Sequence, residues 1–169
     1  MGENGQLGTR QIAAIAVMAA LTTVATISFA IPFPATGGYF NLGDTIVVVT
    51  SLLFGPIVGA IAGGVGSGLA DFMGGWMLFV VPTTIIKGFE GFIVGYLAGK
   101  KEDRTTVRLG IAWIAGAATI VIGYFIAEAF FLGMGVEAAT AEIAINIPQA
   151  LSSVIGVGIY LAAKDRIKL

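Results

Sequence analysis

The feature that most constrains this chain is a long stretch that is almost without charge. From Gln11 to Ile86 the only charged side chains are Asp44 and Asp71. Of the 169 residues in the whole chain, 57% are hydrophobic and 11% are charged, and the mean hydropathy is +0.95. Soluble domains carry about a quarter charged residues, because polar groups have to cover their surface. The chain is therefore predicted to be an all-α integral membrane protein.

The composition also excludes several classes of function. The chain has no Cys and no His, which removes disulfides, the usual ligands of zinc and haem iron, cysteine nucleophiles and imidazole bases. A formal net charge of −1 gives no basic surface for nucleic acid. We expect no catalytic residues, no metal, no cofactor and no nucleic-acid partner.

Hydropathy and helix-breaking residues divide the chain into six membrane spans within one membrane domain, residues 1–169. A bilayer core of about 30 Å needs about 20 apolar residues per helix, and breaks fall at Pro32, at Pro34 and at Gly55-Pro56. The second and third spans are short, which is tolerated where protein covers a helix or where the helix lines a cavity. The predicted spans are residues 11–31, 44–54, 56–72, 78–99, 108–132 and 142–163.

The positive charges predict how the bundle is oriented. Six crossings place both termini on the same side of the membrane as the loop over residues 100–108. The loops 32–43, 73–77 and 133–140 on the other side contain no Lys or Arg, so the positive-inside rule makes both termini cytoplasmic. The basic residues on the predicted cytoplasmic side are Arg10, Lys100, Lys101, Arg104, Arg108, Lys164, Arg166 and Lys168.

A helical rise of about 1.5 Å per residue gives the depth of each polar residue within its span. By this measure, the polar residues lie in the outer half of the bundle or near its midplane. An ionisable group is costly in lipid, so it is expected to face the interior. Lys87 and Glu90 have the spacing of a helical ion pair, and Asn146 and Gln149 offer amide groups to a heterocycle from one helix face. The sequence predicts a polar cup, open to the outside beneath the aromatic loop. Its residues are Tyr39, Phe40, Asn41, Trp76, Lys87, Glu90, Glu128, Asn146 and Gln149.

Each assignment also has a structural alternative. Ionisable residues within a membrane usually have a function, but Lys87 and Glu90 would also be explained by a purely structural ion pair. Asp44 heads a span and suits an N-cap role, and Asp71 lies at an interface where water solvates it. The two amide side chains also suit interhelical hydrogen bonds, and the aromatic residues suit an interfacial belt.

The first span carries a face of small residues. Ala16 and Ala20 lie one turn apart in its cytoplasmic half, and small residues let another helix approach closely. The pattern serves docking of another membrane protein or packing within the chain, and periodicity alone leaves both alternatives open.

The order of several motifs resembles that of a known transporter family. The segment Tyr39-Phe40-Asn41-Leu42-Gly43-Asp44 is followed by Phe54-Gly55-Pro56, by the glycine-rich stretch 63–71, by Pro82-Thr83 and by Lys87-Gly88-Phe89-Glu90-Gly91. This order resembles the substrate-binding S components of energy-coupling factor (ECF) transporters, and more narrowly the riboflavin and hydroxymethylpyrimidine/pyridoxine group. The resemblance covers nearly the whole chain and is most specific over residues 39–99.

The resemblance implies a six-helix vitamin-capture subunit in the lipid of a prokaryotic plasma membrane. Such a subunit assembles with a transmembrane coupling subunit and two cytoplasmic ATPases, and its substrate lies near the outer face. Ala16 and Ala20 match the small-residue pattern that contacts the coupling subunit. The resemblance implies a vitamin or vitamin precursor without fixing which one, and we predict a pyridine or pyrimidine compound first and riboflavin second.

Two other functions remain as alternatives. A self-contained secondary transporter or channel would use Lys87, Glu90 and Glu128 as a proton relay, although the inner half lacks a polar path and the two halves show no inverted repeat. A purely structural membrane subunit is disfavoured by the polar cup. Uptake by the protein alone, driven by an ion gradient, distinguishes the secondary transporter from the capture subunit.

Overall fold

The computed structural model describes residues 7–34, 37–164 and 166. Within them, five helical segments are long and apolar enough to cross a membrane, and a sixth apolar segment is short. The predicted all-α architecture with six spans is confirmed, while the predicted tail charge at Lys168 lies outside the described residues. The helices are α1 (Thr9–Ser28), α2 (Gly43–Phe54), α3 (Pro56–Gly74), α4 (Val80–Ala98), α5 (Thr106–Ile126), α6 (Gly135–Ser152) and α7 (Val154–Ala163).

The last two spans contain irregular turns. The helix α5 continues through a π-helical turn, Ala127–Phe131, and the final span is divided into α6 and α7 at Ser153. The helix α6 begins at Gly135, earlier than hydropathy indicates, because its first two turns include the glutamates Glu137 and Glu142. These acidic residues lower the hydropathy of a segment that is nevertheless helical.

The loop between α1 and α2 folds into a small β-hairpin. Strand β1 (Ile31–Phe33) pairs antiparallel with β2 (Gly38–Phe40), and Pro32 lies opposite Tyr39. A proline is tolerated here because each strand of a two-stranded sheet has an open edge. The hairpin lies over one end of the helical bundle.

The short helix α2 lies at the centre of the bundle. Nine of its twelve residues are buried, and it contacts α1, α3, α4, α6 and α7. At about 1.5 Å per residue this helix is about 18 Å long, too short for a helix exposed to lipid. Neighbouring helices cover it instead, as required of a short membrane helix.

Glycine residues allow α3 and α4 to approach closely. Gly91 lies directly against the backbone of Gly59, so a side chain at residue 91 would push the two helices apart. A Cβ at Gly64 would likewise come within 2.6 Å of the carbonyl oxygen of Thr84. The glycine motifs of these helices therefore serve packing within the chain.

The two ends of the bundle differ in character. The hairpin covers one end, and the opposite end carries the exposed residues Lys100, Lys101 and Arg108. There Arg104 donates hydrogen bonds at 2.9 Å to the carbonyl oxygen of Gly99 and to the hydroxyl of Tyr160. It thereby ties α4 to α7. By the positive-inside rule, the basic end is predicted to face the cytoplasm.

Candidate functional site

A narrow cavity lies at the hairpin end of the bundle. About 20 Å³ of it admits the centre of a water molecule, which is room for about one water. Its walls combine three aromatic rings with polar side chains and come from the hairpin, α4, α5, the π-helical turn and α6. The lining residues are Gly38, Tyr39, Asn41, Phe79, Thr83, Tyr124, Glu128, Glu142, Asn146 and Gln149.

The structure brings only part of the predicted cup to this cavity. Phe40, Trp76, Lys87 and Glu90 are not among the lining residues. Phe40 is the last residue of β2, and Trp76 lies behind the ring of Tyr39. Lys87 and Glu90 lie deeper along α4. The predicted residues that do line the cavity are Tyr39, Asn41, Glu128, Asn146 and Gln149.

Two buried glutamates face the cavity. Glu128 is 1% exposed and Glu142 is 2% exposed. Among the described residues, Glu128 Oε2, Glu142 Oε1 and Asn146 Nδ2 have no hydrogen-bond partner. A buried polar group without a partner costs about 1–3 kcal/mol. Three such groups around one cavity make it the candidate binding site of the described part of the chain.

Helix geometry explains how these groups meet. Glu128 is the second residue of the π-helical turn, and such turns occur frequently at functional sites. Tyr124 and Glu128 are four residues apart, as are Glu142 and Asn146, so each pair shares one helix face. This spacing is the signal that would have identified Tyr124 and Glu142, which the predicted cup did not contain.

Gly38 allows β2 to lie close to α6. A Cβ at this position would come within 2.8 Å of Cδ of Glu142. The absence of a side chain therefore lets the hairpin close over the carboxyl group. No local sequence pattern identifies this contact, because it joins residues on separate elements.

Tyr39 attaches the hairpin to the bundle. Its hydroxyl donates a hydrogen bond to Oδ1 of Asp71, and its ring stacks on Trp76 with 4.0 Å between the ring centroids. Burial and the neighbouring carboxyl group raise the pKa of Tyr39 above its ordinary value, so the residue stays a neutral donor. Asp71 is 0% exposed. The alternative in which water solvates Asp71 is wrong, because the hairpin covers this end of α3.

A second link joins the residue after the hairpin to α6 and, through α6, to α2. Oε1 of Gln149 accepts hydrogen bonds from the backbone nitrogen and Nδ2 of Asn41, at 3.1 and 3.0 Å. Nε2 of Gln149 donates to Oδ2 of Asp44 at 3.0 Å. The amide of Gln149 is thus engaged by Asn41 and Asp44, whereas Nδ2 of Asn146 has no partner among the described residues.

Beneath the cavity, Lys87 pairs with an aspartate of α2. Its Nζ forms an ion pair with Oδ1 of Asp44, and these side chains are 2% and 0% exposed. The predicted neutralisation of Lys87 by Glu90 is wrong, because packing of α2 against α4 brings Asp44 to the ammonium group. Both carboxyl oxygens of Glu90 lack a hydrogen-bond partner in the described part of the chain. Asp44 does not cap its helix, since Leu42 holds the N-cap position.

On α1, the two alanines of the predicted docking face are exposed. Ala16 and Ala20 lie on the outside of the bundle, beside the exposed residues Val17 and Leu21. Contact of this face with a partner stays a prediction.

A helical membrane bundle with a polar cavity at one end is the architecture of a solute-binding membrane protein. A family model described as the S component of the ECF-type riboflavin transporter matches residues 6–165, and the chain belongs to this family. It is an S component, a substrate-binding subunit for vitamins or their precursors that partners with ECF modules, and not an enzyme. The predictions of the family and of a multi-pass protein of the cell membrane are confirmed.

Known proteins that are similar to this chain include two relatives and one solved structure. An uncharacterized protein of Pyrococcus woesei is 41% identical over 148 residues, which cover 86% of this chain and 95% of the relative. The thiamine precursor transporter HmpT of Lactococcus lactis subsp. cremoris is 28% identical over 143 residues, which cover 84% and 80%. A structure of the S component of a bacterial ECF transporter has a TM-score of 0.73 and 19% identity, and the match covers 95% of this chain and 98% of that one. At this identity the match shows the fold alone.

Proposed function

We propose that this S component captures a vitamin or vitamin precursor built on a nitrogen heterocycle, a pyridine or pyrimidine compound in first place and riboflavin in second. The observation that carries the proposal is the cavity in which buried polar atoms, without partners in the part of the chain that the structure describes, lie among aromatic rings. The name of the lactococcal relative supports a pyrimidine, because thiamine contains a pyrimidine ring. The family description supports riboflavin.

The proposed polar contacts come from α5 and α6. Glu128 and Asn146 reach the ligand directly, and Glu142 joins them because its free carboxyl oxygen lines the same cavity. Gln149 completes the wall and positions the hairpin through Asn41.

The aromatic and charged residues around the cavity have supporting roles in this proposal. Tyr39 covers the ligand, with Trp76 stacked behind it and Phe40 adjacent in the same strand. Lys87 and Glu90 act from beneath through their charge, since neither lines the cavity.

Ligand entry requires that the walls of the cavity separate. Room for about one water does not admit an aromatic heterocycle. The hairpin is the wall that is not a membrane helix, and it is attached through the Tyr39–Asp71 and Asn41–Gln149 hydrogen bonds. We propose that these bonds open when the ligand enters.

The proposed orientation places the cavity toward the outside and the basic end toward the cytoplasm. Transport then requires a transmembrane coupling subunit and two cytoplasmic ATPases. The exposed face around Ala16 and Ala20 is the proposed contact with the coupling subunit, because small residues permit close helix packing.

Native mass spectrometry and absorbance of the detergent-purified protein test this function. A copurified pyrimidine, pyridoxine or flavin is expected. A protein that arrives empty and binds none of these compounds at micromolar concentration would contradict the proposal. Reconstituted uptake is expected to need the coupling subunit, the ATPases and ATP, whereas uptake by the protein alone with an ion gradient would indicate a secondary transporter.

A further inference from the structure

A basic cleft lies at the end of the bundle opposite the hairpin, between the start of α5 and the end of α7. About 150 Å³ of it admits the centre of a water molecule, far more than in the cavity beneath the hairpin. Its walls include three cationic side chains, and among the described residues no Asp or Glu lines it. The three cations are Lys101, Arg104 and Lys164. The basic cleft is therefore a candidate anion site, separate from the cavity of the proposed substrate.

Arg104 is held in the wall of the basic cleft without losing its charge. Its guanidinium group donates hydrogen bonds to the carbonyl oxygens of Leu52 and Gly99 and to the hydroxyl of Tyr160. These neutral acceptors occupy N–H donors but do not neutralise the cation. In the part of the chain that the structure describes, no carboxylate forms an ion pair with Arg104 or with either lysine of the cleft. The positive charge of the cleft is thus available to an external anion.

The helix ends at the basic cleft are also compatible with an anion. Helix α5 begins at Thr106, which lines the cleft, and a helix N-terminus carries partial positive charge. At the opposite wall, Lys164 directly follows the last residue of α7 and offsets the partial negative charge of that helix end. The acidic residues Glu102 and Asp103 lie in the turn before α5 and are exposed, and neither lines the cleft.

Apolar groups in the same cleft favour a lipid over a soluble anion. Leu109 and Leu161 line it together with the cations, and the first turns of α5 expose Val107 and Ile111. Helix α7 packs more closely against α2 than against α5, which leaves room between α5 and α7. A phospholipid joins an anionic headgroup to apolar chains, and the ends of a membrane bundle lie at the depth of the headgroups. Lysine and arginine clusters beside membrane helices attract anionic lipids.

We propose that the basic cleft binds an anionic phospholipid, with its phosphate among Lys101, Arg104 and Lys164 and an acyl chain against Leu109 and Leu161. The bound lipid joins the start of α5 to the end of α7. This proposal is independent of the substrate beneath the hairpin. It also holds for either orientation of the bundle, because it requires only that the cleft lies at one membrane surface.

Fluorescence of Trp113 provides the first test. Trp113 is four residues after Leu109 on α5 and therefore lies on the same helix face, and Trp76→Phe removes the other tryptophan of the chain. The protein is placed in vesicles that contain phosphatidylglycerol or phosphatidylcholine with brominated acyl chains, which quench nearby tryptophan. We expect the site to prefer phosphatidylglycerol by at least about tenfold, because phosphatidylcholine has no net charge.

The outcomes of this test separate the lipid from other occupants. Equal quenching by the two lipids would overturn the proposal, since it would show only apolar contact. Relief of quenching by inorganic phosphate, beyond that by sodium chloride of equal ionic strength, would assign the cleft to a soluble anion and would also overturn it.

Neutral variants of the two lysines provide the second test. Lys101→Gln and Lys164→Gln are each expected to lower the preference for phosphatidylglycerol about fivefold, the effect of one cation near a membrane surface. Arg104 is left unchanged because it holds α4 against α7. Lys100→Gln is the matched control, because Lys100 is an exposed neighbour of Lys101 outside the lining of the cleft.

The control is expected to keep the full preference for phosphatidylglycerol. An equal loss in Lys100→Gln would show diffuse surface charge instead of a site, and an unchanged preference in both cleft variants would refute the assignment. Cleft variants that keep the lipid preference but lose uptake with the ECF module would assign the cleft to an acidic protein partner, which also overturns the proposal.

Discussion

The buried ion pair beneath the cavity leads to a quantitative prediction for Lys87→Met. Methionine keeps an unbranched chain of similar length and removes the charge. Asp44 then loses its ammonium partner and retains the hydrogen bond from Nε2 of Gln149. Removing one member of a buried pair typically costs 3–5 kcal/mol. Because one donor to Asp44 remains, we expect a loss near the lower end, about 3 kcal/mol of unfolding free energy.

The reverse variant, Asp44→Asn, is expected to cost less. Glu90 is three residues from Lys87 on α4, and its carboxyl oxygens have no other partner among the described residues. The ammonium group can therefore turn to Glu90, and we expect a loss of about 1–2 kcal/mol. The double variant, Lys87→Met with Asp44→Asn, removes both charges of the pair, so neither charge is left buried without a partner. Its loss is expected to fall short of the sum of the single losses by about 2 kcal/mol.

The assay is reversible unfolding by SDS in mixed micelles, followed through the fluorescence of Trp76 and Trp113. Lys100→Met is the matched control, because Lys100 is an exposed lysine after the end of α4, and it is expected to change the unfolding free energy by about 0.5 kcal/mol or less. If Lys87→Met is as stable as this control, or if the double variant equals the sum of the single variants, the buried pair does not have the energetic role described above.

Three further predictions concern binding and transport. Asn146→Ala is expected to weaken ligand binding by about tenfold at unchanged thermal stability, whereas Gln149→Ala is expected to lower both the affinity for the ligand and the thermal stability. Calorimetry and thermal unfolding measure the two quantities. Unchanged binding in both variants would show that the two amides have a structural role only. Gly38→Ala is expected to reduce affinity, because its Cβ would clash with the glutamate of α6; wild-type affinity would show that the hairpin yields freely. Ala16→Leu and Ala20→Leu are expected to leave binding intact and to abolish ATP-driven uptake in reconstituted vesicles; persistent uptake in both would move the docking face elsewhere.

The membrane spans and their breaks were predictable because hydropathy and helix-breaking residues act locally. The absence of charge from Gln11 to Ile86 required a membrane protein in any tertiary arrangement. The turn at Gly55-Pro56 depends on the local backbone preferences of these two residues. Helix α2 ends just before it and α3 begins at Pro56. The start of α6 was less predictable, because Glu137 and Glu142 lower the hydropathy of the helix that carries them.

The partners of the polar residues depended on how the helices pack. Glu90 is the nearer residue to Lys87 in sequence, but Asp44, 43 positions away, is its ion-pair partner. Gln149 bonds to Asn41 across 108 positions, and Glu142 enters the site because the hairpin folds over it at Gly38. Composition and local periodicity establish that polar groups must face the interior, since lipid cannot solvate them. Which groups meet there depends on the rotation and packing of helices that are distant in the chain, and the tertiary structure alone contains that information.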